Sequence, residues 1–217
     1  MNPEYIVISE LQFDNSLINE IKSLSFTTLE LATRYDRNNY IKSLRHYHKL
    51  SWWQIIKWAN YYGWFFSKAG VIDSYRLPIE IENKILLELA KFFGDKVIQD
   101  CVVRLQVVYD GEIIPLHIDI TRTSSIIYPV SHTGLAYTVF YQRNKAISSK
   151  EQLFNPTECQ EVNRICINDV PVLLDTTKIH SVQYKDTKLT KNNPRISLSI
   201  KWKTLKIDQI INDLQRK

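Results

Sequence analysis

The spacing of apolar positions changes near residue 100. Upstream, apolar residues recur at helical intervals; downstream they alternate in twos. Leu17, Ile18, Ile21 and Leu24 fall on one face of a helix that Asp14 or Asn15 would cap, after a short strand over Tyr5–Ser9. Pro78 opens a second helix, with Ile81, Ile85, Leu89 and Phe92 or Phe93 at helical spacing, and Gly94 ends it. From Val102 the period is two. Strands are predicted over Val102–Tyr109, Leu116–Ile120, Ser124–Pro129, Ala136–Gln142, Arg164–Ile167, Val170–Asp175, Ser181–Tyr184 and Arg195–Lys203. Ile207, Ile210, Ile211 and Leu214 stripe a closing helix over Leu205–Leu214. Helical units followed by eight short strands predict a mainly β fold with flanking helices, a double-sheet jelly roll. The 217 residues suit a single domain over 1–217: an N-terminal helical and aromatic buttress (1–99), a core (100–203) and a C-terminal helix (204–217).

Two stretches resist the period. Leu29–Tyr47 contains YDRNNYIKSLRHYH, polar and aromatic, and reads as a loop or lid; His46 and His48 in it read as ordinary surface histidines. Leu50–Phe66, LSWWQIIKWANYYGWFF, is the most apolar stretch but short for a membrane span, with Lys57 and Asn60 in its middle. Trp52, Trp53, Trp58, Trp64, Phe65 and Phe66 are expected to pack in the core. A stacking platform beside Arg45, Lys49 and Lys57 is the alternative.

Composition adds little. A net charge of +5, spread along the chain, permits an acidic or nucleic-acid partner without requiring one. Cys101, Cys159 and Cys166 form no CxxC and fit reduced thiols; with no signal-peptide pattern, the expectation is a cytoplasmic protein that does not enter membranes. The oligomeric state is open.

The candidate chemistry lies in the β region. On a strand over Leu116–Ile120, His117 and Asp119 would point to one side. With the distant His180 they supply two nitrogens and one oxygen, leaving metal positions open: the facial triad of non-haem Fe(II) oxygenases. Downstream, Arg195 and Ser197 share a strand face, where a guanidinium beside a hydroxyl can clamp a carboxylate.

His-x-Asp, a distant His and then Arg-x-Ser resemble the 2-oxoglutarate/Fe(II)-dependent dioxygenase family over about residues 100–203. The resemblance implies a double-stranded β-helix of cupin-like type. It also implies Fe(II) on His117, Asp119 and His180, with 2-oxoglutarate held by Arg195 and Ser197. Tyr128 and Tyr137 are the two candidates for the tyrosine that helps bind 2-oxoglutarate in many relatives. O2 is the co-reactant, and succinate and CO2 leave. Tyr109 and Gly111 before the ligand pair are similar to the prolyl-hydroxylase branch, although KDTKLTKNNP makes the gap from His180 to Arg195 longer than is common there. His117–Arg122 followed by Ile126–Pro129 is similar to the amino-acid and aspartyl/asparaginyl hydroxylases. This implies an amino acid or peptide substrate touched by Arg122 and Tyr109. An AlkB-type nucleic-acid demethylase is the competing enzyme; its further Arg falls on Lys201 here. A catalytically silent cupin-like binding module is the non-enzymatic alternative.

Overall fold

The computed structural model describes residues 3–46, 49–61, 71–109, 113–119, 122–146, 153–185 and 192–215. The N-terminal part runs β1 (Tyr5–Val7), α1 (Asn15–Lys22), β2 (Leu31–Tyr35), α2 (Arg37–His46) and α3 (Trp52–Tyr61). It continues through β3 (Val71–Tyr75), α4 (Ile79–Phe93) and α5 (Asp95–Ile98). Eight strands follow: β4 (Cys101–Tyr109), β5 (Ile113–His117), β6 (Ser124–Ser131), β7 (Ala136–Arg143), β8 (Cys159–Cys166), β9 (Val172–Asp175), β10 (Ile179–Tyr184) and β11 (Arg195–Trp202). Helix α6 (Ile207–Gln215) closes the chain.

The eight strands pair first with last. β4 lies antiparallel to β11, β5 to β10, β6 to β9 and β7 to β8. This nesting distributes them over two sheets, ordered β1-β9-β6-β11-β4-β3-β2 and β5-β10-β7-β8. It is the connectivity of a jelly roll, as the change of period predicts. Pro115 explains the place of β5: a residue without an amide hydrogen belongs on a sheet edge, and β5 is an edge strand.

The larger sheet carries the main core on its outer face. Val103, Leu105 and Val107 of β4, Leu198, Ile200 and Trp202 of β11, and Ile126 and Tyr128 of β6 pack against the buried faces of α1, α4 and α6. Asp14 caps α1, its Oδ1 accepting from the Ser16 amide at 2.7 Å. Pro78 precedes α4, and Gly94 ends it at φ +90°, where a Cβ would be strained. Trp202 is fully enclosed, and its indole N–H donates to the Val97 carbonyl at 2.6 Å. Ile207 and Ile210 of α6 join this core, so the closing helix packs on the barrel.

Two N-terminal expectations need correction. The stretch read as a loop or lid is strand β2 and helix α2. Helix α2 is capped locally, the Asp36 Oδ1 accepting from the Asn39 amide at 3.0 Å, but what orders β2 is distant in sequence: the buried Asp73 carboxylate of β3 accepts two bonds from Arg34 of β2, at 2.6 and 2.7 Å. It also accepts from the Tyr109 hydroxyl at 2.8 Å and the Tyr75 hydroxyl at 3.2 Å. A local pattern cannot show a carboxylate 39 residues away. His46 ends α2; His48 lies outside the described residues. The aromatic helix is α3, but its buried side is Ile55 and Ala59, against Leu116, Phe154 and Ile179. Trp52 and Trp53 are 58% and 81% exposed, not core, and the Arg45 guanidinium lies 4.8 Å from the Trp52 ring centre. The side chain of Trp58, and all of Trp64, Phe65 and Phe66, lie outside the described residues.

Candidate metal centre

The smaller sheet brings the two distant histidines together. His180 of β10 is in register with His117 at the end of β5, and the ring centres lie 4.2 Å apart. Each ring is fixed in the same way. The Nδ1 of His117 lies 2.7 Å from the Pro115 carbonyl oxygen, and the Nδ1 of His180 lies 2.9 Å from that of Lys178. A carbonyl only accepts, so both Nδ1 atoms carry the proton. In a neutral ring the lone pair is then on Nε2, the nitrogen that a metal would take.

Asp119 reaches the same place by another route. The predicted strand over Leu116–Ile120 stops at His117, so alternation does not place Asp119. Its amide instead donates to the Thr176 carbonyl at 3.0 Å, which ties the segment after β5 to the turn before β10. Asp119 Oδ2 lies 3.9 Å from His180 Nε2. One ligand atom from each of His117, Asp119 and His180 lies within 4.8 Å of the others.

Burial and charge set the protonation states. Burial would raise the Asp119 carboxyl, but Arg122 and the two imidazoles more than offset it and hold it at about 2. Burial, reinforced by His117, lowers His180 to about 3. A carboxylate beside a neutral imidazole is the state a divalent cation requires of its ligands.

The interior face of β11 runs past this cluster. Ile196, Leu198, Ile200 and Trp202 belong to the outer core, so Arg195, Ser197, Ser199 and Lys201 face the smaller sheet. They are polar residues in an enclosed place. Arg195 is 5% exposed and Ser197 is fully buried, yet Arg195 Nε and Ser197 Oγ have no hydrogen-bond partner among the described residues. The Tyr184 hydroxyl is likewise buried and unpartnered. Burial lowers the Arg195 guanidinium from its ordinary value and pushes the Tyr184 phenol up. Unsatisfied buried donors are costly, and a cluster of them on one face marks a place built for a polar ligand.

Four candidates fall elsewhere. Tyr128 is on the outer face, stacked on Phe13 at 4.3 Å, its oxygen accepting from the Phe13 amide at 3.0 Å. Tyr137 is on the outer face of the smaller sheet, with Lys185 Nζ 4.5 Å from its ring centre; Phe140 and Thr138 are on the inner one. Tyr109 bonds Asp73 on the outer side of β4. Arg122 donates its Nε to Asp119 Oδ2 at 2.6 Å, so it orients a candidate ligand. Gly111 lies outside the described residues. Tyr184, which none of the sequence motifs includes, stands on the interior face close enough to Arg195 for the two to act on each other. Its place was legible in the sequence: on a strand through His180, residues 180, 182 and 184 share a face.

Comparison with family models and with curated proteins finds no match. Solved structures do match. The epimerase SnoN, in a complex with Fe3+, alpha ketoglutarate and nogalamycin RO, superposes with a TM-score of 0.53 at 8% identity, over 91% of this chain and 77% of that one. Oxalate decarboxylase from Bacillus subtilis gives a TM-score of 0.32 at 16% identity, over 63% of this chain and 26% of that one. The fold is a cupin-like jelly roll buttressed by helices, carrying a His-Asp-His cluster with the geometry of a possible metal site. No helix among the described residues is long and apolar enough to cross a membrane.

Proposed function

We propose that the protein is an Fe(II)- and 2-oxoglutarate-dependent oxygenase that hydroxylates an amino acid or peptide side chain. The observation that carries this reading is the matched tethering of His117 and His180 beside an ionised Asp119. Three residues from two distant places along the chain converge, with one ligand atom of each within 4.8 Å of the others. The orphaned Arg195 and Ser197 supply the second half of the argument. SnoN, the neighbour with the same fold, was solved with iron and alpha ketoglutarate.

In this reading His117, Asp119 and His180 hold the iron. Arg195, Ser197 and Tyr184 hold the far carboxylate of 2-oxoglutarate, a guanidinium and two hydroxyls around one anion. When bound, Fe(II) with 2-oxoglutarate and O2 supplies the oxidation of a substrate C–H, with succinate and CO2 released. The chain's own contribution is placement. The Pro115 and Lys178 carbonyls fix the imidazole tautomers, and Arg122 fixes the carboxylate and keeps it ionised. The apolar side chains of the barrel exclude water.

The test is anaerobic. Protein mixed with Fe(II) and 2-oxoglutarate is expected to show a weak visible charge-transfer band. The same mixture with His117→Ala/Asp119→Ala protein is not. Equal Fe(II) binding by the two proteins would end this reading. Turnover on amino acids, peptides and methylated oligonucleotides, followed as succinate release, then assigns the substrate. The exposed Trp52 and Trp53 beside Arg45 are what favours the demethylase as a second reading.

A further inference from the structure

Lys201 is a cation the scheme above leaves without a task. It stands on the interior face of β11, in register with Ser125 of β6 and Val102 of β4. The segment after β5 passes this end of the strand. The Thr123 amide donates to the Trp202 carbonyl at 3.0 Å, while the Asp119 amide and the Thr123 carbonyl both bond Thr176. This brings the Asp119–Arg122 pair to Lys201, and the three charges act on one another.

Lys201 nonetheless has no ion pair among the described residues. Asp119, the one carboxylate that acts on it, is committed to Arg122. Burial first, and Arg122 second, disfavour its charged form, so the ammonium needs an anion beside it. The charges of the assembled site do not cancel. Iron brings two positive charges, and Arg122, Lys201 and Arg195 one each. Asp119 brings one negative charge and 2-oxoglutarate two. Two positive charges remain, on side chains that are largely withdrawn from water.

We propose that the substrate of this site carries a carboxylate and that Lys201 holds it beside the metal centre. The inference rests on the oxygenase reading and names its substrate class. A carboxylate is the anion that an amino acid or peptide offers. The neighbouring Ser125 and Ser199 hydroxyls, 3.2 Å apart, use one proton on each other and keep one to give beside the ammonium. Lys201 lies at the other end of the strand face from Arg195, six positions away, or about 20 Å of strand at about 3.3 Å per residue. The two cations therefore serve two different anions.

The test uses protein loaded with Mn(II) and saturated with 2-oxoglutarate, and reads the broadening of probe proton NMR lines by the bound manganese. N-acetylglycine is expected to broaden, and its methyl ester is not. Lys201→Met is expected to cut the broadening by about tenfold while Mn(II) and 2-oxoglutarate affinities stay within about twofold, and Lys201→Arg to restore part of it. Lys201→Gln repeats the measurement should the methionine variant fail to fold. Equal broadening by the ester, stronger broadening by methyl phosphate, or no effect of Lys201→Met overturns the inference and leaves the oxygenase reading standing. A loss of 2-oxoglutarate affinity in Lys201→Met also overturns it, by assigning Lys201 to the keto acid. Wild-type protein that does not hold Mn(II) sinks the metal centre, and this inference with it.

Discussion

The two halves of the barrel interior are built from the same kind of strand and filled in opposite ways. Between β6 and β9 on one sheet and β7 and β8 on the other, Ile127, Val172 and Leu174 meet Phe140 and Ile167 in a closed apolar cluster. Between β4 and β11 on one side and β5 and β10 on the other, the interior holds His117, His180, Tyr184, Arg195, Ser197, Ser199 and Lys201. The first half removes apolar surface from water and stabilises the fold. The second half buries donors and cations without partners, which costs stability unless a ligand supplies the missing acceptors. One half thus holds the barrel together while the other is free to be chemically specific.

Substitutions should separate the halves. The largest effect is expected at the metal cluster. Asp119→Ala or His180→Ala should weaken Fe(II) or Mn(II) binding by more than about a hundredfold, measured by equilibrium titration, with the fold retained. In the other half, Ile167→Ala should cost about 2–5 kcal/mol of stability, measured by urea unfolding. Metal affinity of the remaining folded protein should change little. A loss of metal affinity in folded Ile167→Ala protein would show that the halves are mechanically coupled.

Smaller effects sharpen the contrast. Arg195→Ala should cost about 2–3 kcal/mol of 2-oxoglutarate binding, roughly 30–100-fold, with metal binding intact. Because an unpaired buried cation is removed, stability of the ligand-free protein should hold or rise. Ser197→Ala and Tyr184→Phe should each cost about 1 kcal/mol of the same affinity. Were Tyr184→Phe silent and Tyr137→Phe not, the placement of the two tyrosines would be wrong.

The metal-free protein should also show the polar half in its response to acid. His180 is held near 3 in the folded protein, while an unfolded histidine titrates near 6.5. As the pH falls below about 6.5, the unfolded chain takes up a proton that the folded one refuses. Stability is therefore lost on acidification, by up to about 1.4 kcal/mol per pH unit from this group. Asp119, held at about 2, adds a loss below about pH 4 for the same reason. A saturating divalent metal should deepen the loss, since protons compete for its ligands. Urea unfolding between pH 4 and 8, with and without Mn(II), checks the sign. His180→Asn should flatten the metal-free profile above pH 4.

The sequence by itself determined helices α1, α4 and α6 and the run of eight strands that makes the jelly roll, because helical and twofold spacing are local properties of the chain. It also carried His117, Asp119, His180, Arg195 and Ser197 as a set, since the order of those residue types is visible without coordinates. What it left undecided depended on partners far along the chain. Asp73 orders β2 from a distance, Thr176 positions Asp119 where the strand pattern ends, and Phe13 draws Tyr128 outward. Alternation says which residues share a face of a strand but not which face looks inward. Only the pairing of β10 with β5 and β7, and of β11 with β4 and β6, turned Tyr184, Arg195, Ser197 and Lys201 into the barrel and Tyr137 out of it. The side of a sheet that becomes interior is fixed by which apolar face the helices cover, and that is a property of the whole packed chain.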